Sequence, residues 1–157
     1  MGARARTARS QPAGPSRLDR SELEQTFGFR LRQAWQEMER CFLDCFRDEK
    51  ITPALYAILL LVDANPGCRP SDVCREIAIT PANIVPYVDE LVQRGLLLRE
   101  SGADDRRIKL LTLTPDGRLY VRRLRALHEQ VNAQFARKVG EAKLGDLTQL
   151  LSLITSD

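Results

Sequence analysis

Few folds accommodate the order of signals between Thr80 and Thr114. Thr80-Pro81 reads as a helix start, an N-cap followed by proline at the first helical position, where a missing N–H is harmless. Ile84, Val88 and Leu91 recur at i, i+4 and i+7 and define one buried face. Gly95 offers the left-handed residue that ends such a helix. Two strand-like runs follow, Leu96 to Glu100 and Ile108 to Leu113, joined by the polar tip Ser101-Gly102-Ala103-Asp104-Asp105-Arg106-Arg107. A helix, a glycine turn and a basic hairpin are what a winged helix-turn-helix needs to hold duplex DNA. The helix suits a DNA major groove, and the wing reaches a neighbouring groove or the phosphates.

The flanking segments read as helices. Leu18 to about Arg47 carries Leu23, Phe27, Leu31, Ala34/Trp35, Met38, Phe42 and Cys45 on a 3.6-residue period. Thr52-Pro53 starts a second helix that buries Leu55, Ile58, Leu59 and Val62, and Asn65-Pro66-Gly67 stops it. Cys68-Arg69 is a candidate short strand. A third helix, Asp72 to Ala78, turns Val73, Cys74 and Ile77 inward. Beyond Thr114-Pro115 a fifth helix runs to about Val139 with a Tyr120, Leu124, Leu127, Val131, Phe135 stripe. Gly140 breaks it, and a sixth spans Lys143 to Thr155. The expected fold class is therefore mainly α with a small β-hairpin wing. Residues 1–17 form an expected disordered basic arm, and 18–157 a single domain. Within that domain 51–114 make up the winged lobe, while 18–50 and 115–157 supply dimerisation helices. The apolar surface of these outer helices exceeds what a compact monomer needs, and a homodimer reaches two half-sites.

The net charge of +3 is unevenly spread. Residues 1–20 hold five arginines against Asp19, so the rest of the chain is slightly acidic. Residues 94–125 nevertheless hold nine basic residues against four acidic ones, and that window contains the wing. Local basicity of this kind suits phosphate contacts. No apolar run has the length of a membrane span, and the arm lacks the apolar core of a secretory signal. A cytoplasmic protein is expected, with no membrane partner.

On the recognition helix the outward positions near the start are Thr80, Pro81, Ala82, Asn83 and Pro86. Asn can pair bidentately with adenine, while Ala, Pro and Thr offer apolar contact to a thymine methyl. No arginine on the front half grips guanine, so the expected half-site is A·T-rich. Pro86 cannot donate to the Ala82 carbonyl, and an interior proline costs about 3 kcal/mol. It either bends the helix or splits it in two. In the wing, Asp105 and Arg107 point to one side of an extended strand, and the carboxylate can fix the guanidinium in a fork. Arg106 or Arg107 at the tip suits a narrow minor groove.

Other chemistries find little support. The chain has one histidine and no Gly-rich phosphate loop, and its nucleophilic and acidic residues form no recognisable catalytic or metal motif. No enzyme activity, metal or cofactor is expected. His128 reads as a surface or interface side chain. Cys41 and Cys45 share a helical face at i, i+4, which leaves open a thiol-based redox or metal sensor. Burial as small core residues is the commoner fate of such cysteines. A winged helix that binds protein rather than DNA is a further alternative.

The wing signature Asp105-x-Arg107, the following Leu113-Thr114-x-x-Gly117, and the run Val88-Asp89-Glu90-Leu91-x-x-x-Gly95-Leu96 resemble the multiple-antibiotic-resistance regulator (MarR) family of bacterial winged-helix regulators. The order of elements is similar from about residue 20 to 155. The resemblance implies a homodimer on a palindromic double-stranded DNA operator, usually repressing, and released by a small aromatic or anionic effector. It places Ala82, Asn83 and Pro86 where base-reading side chains lie, although Pro86 stands where the family commonly has a polar or basic residue. An effector cleft lined from the first, second and fifth helices would draw on Arg30, Trp35, Met38, Phe42, Tyr56 and Tyr120. Aromatic walls and a cation suit an aromatic acid or its coenzyme A thioester.

Overall fold

The computed structural model describes residues 18–102 and 107–155. Their elements are α1 (Ser21–Glu24), α2 (Phe27–Cys45), a 3-10 turn (Arg47–Glu49), α3 (Pro53–Ala64), α4 (Pro70–Glu76), α5 (Pro81–Gln93), β1 (Leu97–Ser101), β2 (Lys109–Leu113), α6 (Pro115–Val139) and α7 (Glu141–Thr155). The expected class holds: helices and one antiparallel two-stranded hairpin. The expected basic arm lies outside the described residues.

The chain divides into two compact units, one ending at Trp35 and one beginning at Gln36. In the first, the single long helix expected from Leu18 onward is interrupted. A turn at Gln25-Thr26 separates α1 from α2, and Thr26 turns its hydroxyl back to the Leu23 carbonyl. A short polar side chain that satisfies a nearby carbonyl competes with helix continuation. The helix also ends earlier than Arg47. The chain tightens into a 3-10 turn and leaves it at Lys50, which is left-handed at φ 49°.

The second unit carries the core. Phe46, Ile58, Leu59, Val62, Val88, Leu91, Leu97, Leu111, Val121 and Leu124 are all but sealed from solvent. Each such side chain contributes about 1.5–3 kcal/mol of burial. The caps read from sequence are present at two helices. Thr52 Oγ1 accepts from Leu55 N–H, and Thr114 Oγ1 accepts from Gly117 N–H at 2.8 Å. At α5 the expectation is corrected, because Thr80 is in extended geometry but its side chain makes no capping bond. Gly67, Gly95 and Gly140 adopt positive φ where helices stop.

The hairpin pairs Leu97 with Leu113 and Ser101 with Lys109, one residue later at its start than expected. The candidate strand at Cys68-Arg69 shrinks to one bridge, Cys68 to Leu111. That bridge still ties the start of α4 to the wing. Helix α6 packs on α3 and β2, and α7 lies against α6. Leu147, Leu150, Leu153 and Ile154 of α7 remain exposed. Among the described residues no helix is long and apolar enough to cross a membrane.

Candidate nucleic-acid interface

Helices α4 and α5 meet through a tight turn. Ala78 takes a left-handed conformation at φ 52°, and Ile79 N–H reaches the Cys74 carbonyl at 3.1 Å. This turn aims α5. Ile84, Val88 and Leu91 are buried as their spacing requires, so the opposite face must be presented outward. Thr80, Pro81, Ala82, Asn83 and Pro86 are all exposed. Val85 joins them and was missed in the sequence reading, although it lies one helical turn from Ala82. The reading surface is thus short, largely apolar and uncharged.

Pro86 lies inside one continuous helix, which rules out two separate pieces. Its ring faces solvent. The front of α5 has no lysine or arginine, and Asp89 and Glu90 follow.

The wing is fixed to this helix by an ion pair that sequence reasoning did not find. Arg99 Nη2 on β1 donates to Asp89 Oδ1 on α5 at 2.7 Å. The two residues are ten apart across a glycine turn, and only the strand register brings them together. Arg94, at the end of α5, pairs with Glu90 one turn earlier. Lys109 Nζ donates to Ser101 Oγ across the hairpin. Arg107 is exposed in the turn that enters β2. Asp105 and Arg106 lie outside the described residues, and with them the expected Asp105–Arg107 fork.

Gly117 explains the end of the sequence signature. A Cβ added there would stand 2.1 Å from the backbone oxygen of Leu96, the residue that leads into the wing. Thr114 Oγ1 also donates to the Gly95 carbonyl at 2.7 Å. The Leu-Thr-x-x-Gly run therefore locks the base of the wing to the start of α6.

The six candidate effector residues are divided between the two units. Arg30 and Trp35 are exposed on the N-terminal unit, where Arg30 approaches Glu24. In the C-terminal unit Met38 is half-buried. Phe42 stacks on Phe46 with centroids 4.0 Å apart, and Tyr56 packs 5.8 Å from Phe42. Tyr120 is occupied elsewhere, because its hydroxyl donates to the Glu49 carbonyl and accepts from Arg94. His128, read from the sequence as a surface or interface side chain, is half-buried. Its ring lies 5.3 Å from Tyr56, and its Nδ1 is buried without a hydrogen-bond partner among the described residues. Burial pushes the Tyr56 hydroxyl above its ordinary pKa.

The two cysteines on α2 share one amide. Cys41 Sγ donates to Gln134 Oε1 at 3.0 Å, and Gln134 Nε2 donates to Cys45 Sγ at 3.2 Å. Burial, reinforced by the neighbouring Cys45, pushes the Cys41 thiol pKa up. That disfavours the thiolate a redox sensor needs. Cys74 is buried beside Val73, as its helical position requires. No cluster of metal-ligating side chains occurs among the described residues.

A helix-turn-helix whose second helix presents an exposed face, with a hairpin braced against it, is the architecture of a winged-helix transcriptional regulator. The chain belongs to the MarR family of such regulators. The family's sequence pattern matches residues 50–108. The transcriptional repressor CouR bound to a 23-mer DNA duplex superposes with a TM-score of 0.85 at 31% identity, over 90% of this chain and 100% of that one. CouR bound to p-coumaroyl-CoA gives 0.81 at 28% identity, over 90% and 99%. BpsR of Bordetella bronchiseptica, whose DNA binding is regulated by 6-hydroxynicotinic acid, gives 0.79 at 28% identity, over 92% and 99%. A protein of Thauera aromatica named as a transcriptional regulator of the hcr operon is 28% identical over 149 residues, 93% of this chain and 90% of that protein.

Proposed function

We propose that this MarR-type regulator is a homodimeric repressor that binds a palindromic operator and is released by a small aromatic acid or its coenzyme A thioester. The observation that carries the DNA-binding part is the exposed front of α5 held beside a wing by the Asp89–Arg99 pair. The helix reads A·T-rich half-sites through Asn83 and the apolar surfaces of Thr80, Pro81, Ala82 and Pro86. The wing, with Arg107 and the neighbouring Asp105 and Arg106, grips the minor groove and phosphates. The exposed leucines of α7 support pairing with a second copy. For the effector, support comes from the ligands of CouR and BpsR and from the aromatic cluster of Phe42, Tyr56 and His128. The Nδ1 of His128 in that cluster is buried and has no hydrogen-bond partner among the described residues, which supports an effector with a polar group.

Electrophoretic mobility shifts on the DNA upstream of this gene test the reading. Arg107→Ala weakens binding and lowers the slope of log affinity against log salt by about one phosphate contact. Unchanged affinity and slope remove Arg107 from the interface. A thermal-shift panel of aromatic acids and acyl-CoA thioesters tests the effector; no stabilising compound, or none that dissociates the complex, defeats that part.

A further inference from the structure

Arg94 ends the recognition helix, and its guanidinium does more than pair with Glu90. Nη1 donates to the Lys50 carbonyl at 3.1 Å and Nη2 to the Glu49 carbonyl at 3.2 Å. Nη2 also donates to Tyr120 Oη at 3.0 Å, and the cation lies 5.5 Å from the centre of that ring. Tyr120 in turn donates to the same Glu49 carbonyl at 2.9 Å. The Glu49 carboxylate is buried and pairs with Arg123, one turn beyond Tyr120 on α6, at 2.6 Å. The left-handed Lys50 follows directly. One turn after the end of α2 thus holds both the residue that caps the end of α5 and the face of α6.

We infer that Arg94 is a positioning residue for DNA reading: with Tyr120 and the Glu49-Lys50 turn it sets the angle at which α5 is presented to the groove. The inference rests on the DNA-binding reading above and deepens it. The geometry shows why the far end of the helix matters. Asn83 lies about 16 Å along the axis from Arg94, so a tilt of about 5° about this anchor moves the reading end by about 1.4 Å. Hydrogen bonds to base edges fail over such a distance. Contacts to phosphate from long, flexible cations tolerate it. Arg94 itself is committed to protein partners at the rear of the helix, so its loss removes no base contact from the front half. A lysine there keeps the charge but cannot span two carbonyls and a hydroxyl with a planar fork.

Two duplexes serve as probes: one recovered by the wild-type protein from a random-sequence pool, and one scrambled version of equal length and composition. Affinities for both are measured at several salt concentrations for the wild type, Arg94→Lys, Tyr120→Phe and the double variant, with thermal unfolding recorded for each. The expected result is roughly a tenfold loss on the selected duplex, with scrambled-duplex affinity and salt slope unchanged. The double variant should lose less than the product of the single losses, because both substitutions break one network. Equal proportional losses on both duplexes, or no loss in folded variants, overturn the positioning role. Tyr120→Phe removes one oxygen, which keeps the test decisive should Arg94→Lys unfold. A wild-type protein that enriches no sequence from the pool overturns the DNA-reading itself and this inference with it.

Discussion

Replacing Gly117 by alanine sets two effects of opposite sign against each other. On helix propensity alone the change is favourable, by about 1 kcal/mol. The structure predicts the reverse. The new methyl would stand 2.1 Å from the Leu96 oxygen and 3.0 Å from its carbonyl carbon. These are backbone atoms, so no rotamer change relieves the clash, and Leu96 must retreat by at least about 1.3 Å to reach ordinary contact. Its oxygen accepts from Thr114 N–H at 3.1 Å, and Thr114 Oγ1 holds both the Gly117 N–H and the Gly95 carbonyl. Overpacking against rigid structure costs about 1–3 kcal/mol. Loss of the Thr114 cap adds about 1 kcal/mol, and a displaced hydrogen bond about 1 kcal/mol more. After the propensity gain the net is about 3 kcal/mol of destabilisation, or roughly a 10 °C fall in melting temperature for a chain of this size. Circular dichroism melts of the two proteins decide the matter. A Gly117→Ala variant that melts at or above the wild type refutes the packing argument.

Pro86→Ala restores an N–H to the Ala82 carbonyl in an exposed helical position, and should raise stability by about 1–3 kcal/mol, read as a higher denaturant midpoint. An unchanged or lower midpoint would mean that the backbone already compensates for the proline. Cys41 has a thiol pKa raised by burial, so the folded state favours its neutral form. Its contribution is complete below the unfolded thiol value of about 8.5 and is lost as pH rises through and above it. The stability difference between wild type and Cys41→Ala should therefore shrink from pH 8 to pH 10; a constant or growing difference contradicts the assignment.

The legible parts of the fold were those set by local chemistry. Ile84, Val88 and Leu91 are buried because their spacing puts them on one face, and Thr52 and Thr114 cap because each precedes a proline at a helix start. Thr80 shares that local pattern yet makes no cap, which shows that sequence selects the geometry without guaranteeing the hydrogen bond. The break at Gln25-Thr26 was hidden by an unbroken apolar period, because a hydroxyl turning back on its own chain leaves that period intact. At the candidate interface the exposed set was readable from helical angles alone. The Asp89–Arg99 pair and the attachments of Arg94 were not, since each joins elements whose relative placement the sequence does not state. Tyr120 illustrates the same limit. Its aromatic ring suggested an effector wall, while its hydroxyl is engaged in holding a turn.

Between Thr80 and Gln93 the chain carries two carboxylates and no cation. For a repressor of the proposed kind, such a probe gains nothing from a random stretch of genome and is repelled by bare phosphate. Holding on is left to arginines placed elsewhere, and choosing a site to neutral atoms that reward only the right methyl groups. Ionic strength should then govern how long the protein stays without altering which letters it prefers. Selection could likewise retune either property while leaving the other in place.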